Sequence, residues 1–135
     1  MEKYRLLRQA LEKAPGFRFA PGPLARYEDL ARVHAPEYLD RFLTAALTPA
    51  ELRRIGFPNE AQLITRTLSS VGATIAAADV ALAEGAAGVL AGGTHHAHRD
   101  FGAGFCVLND IAVSAARLLA NGKVERVAVI DLDVH

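Results

Sequence analysis

The sequence predicts an α/β domain organised on a parallel sheet, and three observations carry that expectation. Gly88-Val-Leu-Ala91 and Arg126-Val-Ala-Val-Ile-Asp131 are short, mainly apolar runs, as expected of strands buried on both faces. Between them lie a glycine-rich loop and a helical stretch, so strand, loop, helix and strand make one βαβ crossover. Each run also leads into a polar cluster, GGTHHAHRDFGAGFC over 92–106 and DLDVH over 131–135. In open α/β sheets the carboxyl edge of the strands is where ligands bind.

Taken in order, Glu2 to Lys13 reads as a helix with Leu6, Leu7, Ala10 and Leu11 on one face, ended by Pro15-Gly16. Phe17-Arg-Phe19 alternates like a short strand and is closed at once by Pro21-Gly-Pro23. Tyr27 to Val33 and Pro36 to Ala46 read as two short helices around His34-Ala-Pro36. Thr48-Pro-Ala-Glu51 is a helix start, with a capping threonine, proline in the first turn and a glutamate that can reach back. Gly56 and Pro58 break that helix.

The longest helical segment runs from about Glu60 to Glu84, with Gly85 as its stop. Its second half carries small and apolar residues and is expected to pack closely against a sheet. Asn109 can cap a helix from Asp110 to Ala120, with Gly122 just beyond its end. The sequence contains no repeat, low-complexity tract or domain linker.

Composition narrows the class. At 135 residues, 51% hydrophobic and 22% charged, the chain suits one folded domain. Zero formal charge gives no electrostatic case for nucleic acid or an anionic membrane as the main partner. The amphipathic N-terminus lacks the apolar core of a signal peptide, and the apolar stretch Val71 to Ala83 is too short to span a bilayer. A single cysteine excludes an intrachain disulfide and fits a reducing cytoplasm. The expectation is a soluble cytoplasmic protein.

The two clusters carry the chemistry. On a strand, Asp131, Asp133 and His135 project to one side. Two carboxylates and an imidazole on a buried face are costly unless paired or bound to metal, and they form a partial ligand set for zinc or ferrous iron. The competing reading is that these acids cap a neighbouring helix or face solvent. In the loop, His95 and His96 are adjacent and point different ways if extended, so they do not clamp one metal together, whereas His95 with His98 could do so only if the loop turns suitably. The bland alternative is a polar loop with one satisfied histidine, against which stand glycines that permit close ligand approach. Cys106 can be a nucleophile, although a buried structural thiol is the commoner case.

GGTHHAHRDFGAGFCVLNDIAVSAARLL followed by RVAVIDLDVH closely resembles the zinc-dependent histone deacetylase family, which includes bacterial acetoin-utilisation proteins and acetylpolyamine amidohydrolases. The match rests on the paired His, then G-F-C, then N-D, then D-x-D-x-H after the crossover. Fainter similarity extends through LARVHAPEYLDRF back to MEKYRLL. The resemblance implies a three-layer parallel-sheet arginase/deacetylase-like fold, of which residues 1–135 form a single truncated domain lacking the C-terminal remainder and the first strand. It implies hydrolysis of an N-acetyl amide, in a protein or a small molecule, by metal-activated water.

It also assigns roles residue by residue. Asp133 and His135 match two of three metal ligands, for Zn²⁺ with Fe²⁺ as the alternative. His95 and His96 match the acid/base pair, with Asp131 as the carboxylate on His95. Gly104 matches a substrate-facing carbonyl, Phe105 one wall of an apolar acyl tunnel, and Cys106 its floor. Asp131, Asp133 and His135 also match residues around a structural K⁺. The third metal ligand, the carbonyl-polarising residue and the partner of His96 are expected beyond residue 135. Two further readings stand beside the deacetylase: an inactive fragment or binding piece of such a protein, and an arginase-like ureohydrolase, which lacks the His-His…Gly-Phe-Cys arrangement.

Overall fold

A computed structural model describes residues 2–58 and 61–134, with the side chain of Ala61 outside the description. Among the described residues six helices follow one another: α1 Glu2–Leu11, α2 Tyr27–Leu30, α3 Pro36–Leu43, α4 Pro49–Ile55, α5 Ala61–Glu84 and α6 Asp110–Ala120. Their ends follow the local chemistry. Thr48 and Glu51 form a reciprocal capping box at α4, and Gly56 closes that helix at φ 89°. Asn109 Oδ1 accepts from the Ala112 N–H at the start of α6. Gly85, at φ 97°, donates back to the Ala81 carbonyl where α5 ends.

The core forms where α2, α3 and α4 meet α5, the segment before α6 and α6 itself. Leu30, Tyr38, Leu39, Phe42, Ile55, Val71, Ile75, Val107, Leu108 and Val113 make one buried cluster. Tyr38 places its hydroxyl on the Val107 carbonyl at 2.9 Å, which ties α3 to the loop entering α6. Burial raises that phenol far above its ordinary range, so it is a permanent donor. An Arg117–Asp79 ion pair at 3.0 Å joins α6 to α5.

Three expectations are corrected. Among the described residues there is no β-strand, only an isolated antiparallel bridge between Ala103 and Cys106. Strand formation is a property of pairs, and neither 88–91 nor 126–131 finds a backbone ladder within these residues. The second run instead lies along α5 and α6, where Val127 to Ile130 share a shallow cleft with Thr74, Ala78, Ile111 and Leu118. Phe17-Arg-Phe19 is likewise irregular.

The small residues of α5 do not meet a sheet. Gly72 and Ala73 meet the 22–25 segment, which runs so close that a Cβ on Gly72 would collide with the Pro23 carbonyl. The Ala25 N–H donates to the Leu68 carbonyl there. Helix α1 buries none of its residues, and Arg8 lies over the Phe19 ring at 5.6 Å.

Candidate active site

Loop 92–106 is suspended from three separate parts of the molecule. Its front end is held by Asp110, whose carboxylate accepts from the Gly93 N–H at 3.0 Å and the Thr94 N–H at 2.7 Å. Its middle is held by His34, which is fully buried. The His34 Nδ1–H donates to the His98 carbonyl, and its Nε2 accepts from the Asn109 N–H. A carbonyl can only accept and an amide N–H can only donate, so these partners fix His34 as one neutral tautomer. Burial lowers its pKa in the same direction. Beside it, the Ala35 N–H donates to the Arg99 carbonyl and the Asn109 amide to the Ala97 carbonyl.

The rear of the loop hangs from the C-terminal end of α4. A helix leaves its last carbonyls without internal partners. Here those of Arg54 and Ile55 accept from the Gly104 and Phe105 N–H groups, at 3.3 and 2.7 Å. The turn requires φ 53° at Gly104 and φ 62° at Phe105, the latter a conformation that side-chain-bearing residues rarely adopt. A Cβ on Gly104 would also press on the His96 ring, at 3.0 Å.

Within this frame the two histidines face each other. Nε2 of His95 lies 3.1 Å from Nε2 of His96, with ring centroids 4.2 Å apart. Nδ1 of His95 lies 3.5 Å from the Asp131 carboxylate, so the second polar cluster does reach the first. Asp131 also accepts from the Asp133 N–H at 2.9 Å. Residues 131–134 are exposed, which corrects the picture of carboxylates on a buried strand.

The Cys106 thiol is buried, and that burial raises its pKa, which makes it a structural thiol and not an activated nucleophile. Its Sγ lies 3.5 Å from the Gly104 carbonyl. Phe105 is 64% exposed and meets Phe57 edge-on at 5.1 Å, so it stands as an open wall.

His135 lies outside the described residues. No group of three metal donors occurs among those described. Asp133 is an exposed carboxylate, a residue type that can ligate a metal.

Residues 1–135 match the Histone deacetylase domain family. The chain belongs to the histone deacetylase family. It is 45% identical over 106 residues to an uncharacterized protein of Picosynechococcus sp., covering 78% of this chain and 35% of that protein. It is 39% identical over 118 residues to a histone deacetylase-like amidohydrolase of Pseudomonas aeruginosa, covering 84% of this chain and 30% of that one. The chain thus spans about a third of the length of these relatives. Its fold is similar to that of an HDAC homolog from Aquifex aeolicus, with TM-score 0.70, 21% identity, and coverage of 89% of this chain and 35% of that one. No described helix is long and apolar enough to cross a membrane.

Sequence reasoning missed His34 and Asp110 as parts of the site. The sequence marks His34 only as a helix-boundary residue, and Asp110 as a helix start and half of the N-D motif with no role attached. A clue lay in their type, since a histidine and an aspartate beside apolar runs need partners if buried.

Proposed function

We propose that this chain forms the acid/base part of a metal-dependent deacetylase that hydrolyses an N-acetyl amide to an amine and acetate. The observation that carries the reading is the contact between His95 and His96 at their Nε2 atoms, with Asp131 behind His95, in a chain matched end to end by the deacetylase family. A zinc or ferrous ion held by Asp133 and His135, with a further ligand, would polarise the substrate carbonyl and acidify water.

The chain's own groups do the rest. His96 Nε2 takes a proton from the attacking water and later delivers it to the departing amine nitrogen. His95, turned by Asp131, supports the charge that His96 acquires. The Gly104 carbonyl accepts the substrate amide N–H, while Phe105 and Cys106 line the path of the acyl-bearing chain. An HDAC homolog solved in complex with SAHA has a similar fold, with TM-score 0.69, which supports reading the chain as part of a ligand-binding deacetylase. A structural K⁺ near Asp131, Asp133 and His135 belongs to the same reading.

In the full-length protein, His96→Ala is expected to keep its metal content and lose at least a thousandfold in turnover of acetyl-lysine peptides and acetylpolyamines. Ordinary turnover by that variant on these substrates would sink the proposal. The exposed apolar residues Ile130, Leu132 and Val134 favour a second reading for the isolated 135 residues, as a non-catalytic binding or assembly piece. Tight stoichiometric zinc and robust deacetylation by the isolated chain would exclude it.

A further inference from the structure

Gly93 and Thr94 immediately precede the histidine pair, and both are fixed by one buried side chain. Asp110, 1% exposed, spends each carboxylate oxygen on a different backbone N–H: Oδ2 on Gly93 and Oδ1 on Thr94. Two hydroxyls flank it. Thr74 on α5 donates to Oδ2 at 2.6 Å, and the Thr94 hydroxyl lies 2.6 Å from Oδ1. That Thr94 oxygen also accepts the Asp110 N–H and lies 2.6 Å from the Leu108 carbonyl. Gly92 at φ 141° lets the backbone pass so near that a Cβ there would sit 2.7 Å from Oδ2.

Residues 97–99 are held independently, by His34, Ala35 and Asn109. The pair therefore lies on a two-residue span between fixed ends, and the Asp110 clamp sets the direction from which both rings project.

We propose that Asp110, braced by Thr74, is a positioning residue for the His95–His96 pair. It acts through the backbone of Gly93 and Thr94, and its effect on turnover rests on the proposed deacetylase reading. The charge type is as important as the shape. An asparagine at 110 would turn its NH₂ toward one of the two backbone N–H groups whichever way it flips, setting donor against donor. A valine at 74 keeps the volume and removes the brace from Oδ2.

The test uses the full-length, metal-loaded protein with Asp110→Asn, Thr74→Val and Thr74→Ser. Asp110→Asn should lower kcat about a hundredfold and Thr74→Val about tenfold, both with KM nearly unchanged, as expected of misaligned catalytic groups. Thr74→Ser should restore kcat to within about twofold of the parent, because it returns the hydroxyl. If Asp110→Asn fails to fold, the Thr74 pair carries the test alone. The ring ¹⁵N signals of His95 and His96, recorded in ¹⁵N-histidine-labelled protein, supply a reading independent of turnover. They should move in Thr74→Val and return in Thr74→Ser. Unmoved ring signals with a parental kcat in Thr74→Val would overturn the proposal, and loss of turnover in His96→Ala would still leave the deacetylase reading standing. If the parent protein proves inactive, the ring signals decide alone.

Discussion

His34 shows how a residue outside the histidine pair can tie the stability of the fold to pH. Its two ring nitrogens meet one acceptor and one donor, the His98 carbonyl and the Asn109 N–H. Protonation would put a second N–H against the Asn109 N–H, and burial already lowers the pKa below the ordinary value of 6.5. The unfolded chain therefore binds a proton that the folded chain resists, so this residue's contribution to stability is present above pH about 6.5 and declines below it. The urea midpoint is expected to fall between pH 7.5 and 5.5, and His34→Gln should remove much of that dependence. A midpoint in the parent chain that is flat or rises on acidification would contradict the assignment. His34→Ala should cost about 2–4 kcal/mol at pH 7.5, because it strands a buried carbonyl and a buried N–H together.

At the scale of the element, α4 has a role beyond packing. Its start was legible in Thr48-Pro-Ala-Glu51, and the structure shows the full capping box, with Glu51 further held by Arg41 at 2.7 Å. That guanidinium lowers the Glu51 carboxyl to about 2, so its support for α4 persists down through mildly acidic pH. The other end of the helix was not legible in function. Gly56 read as a helix stop, whereas its missing side chain also makes room for the Phe105 ring, which a Cβ would meet at 2.8 Å. Gly56→Ala is expected to cost about 1–2 kcal/mol through its positive φ and to push Phe105 off Phe57. The check is thermal melting together with binding of SAHA to the full-length protein. Parental affinity in a destabilised variant would separate Gly56 from the wall proposed for Phe105.

For the whole molecule, helices were easier to read than strands because helical bonds close within four residues and sheet bonds do not. Asn109 and Gly85 announced their helix ends locally, while the apolar runs 88–91 and 126–131 find no ladder among the described residues. The site was legible in residue types, through His95, His96 and Asp131, and not in its supports, because His34 is 75 residues from the amide it caps. Exposed Val129, Ile130 and Leu132 lack that kind of support. In the isolated chain, amides 126–134 should exchange with solvent within seconds, while the central turns of α5 and α6 are protected by orders of magnitude more. Equal protection across both would show that the terminal run is paired after all. The three-point suspension of loop 92–106 also bears on the order of assembly. Two of its ties span 64 residues from His34 to His98 and 50 from Ile55 to Phe105, and contacts that close such long stretches are expected to form late. The helices are then expected in place before the two imidazoles meet, so a far-ultraviolet spectrum should reach its final value before the ring signals of His95 and His96 do.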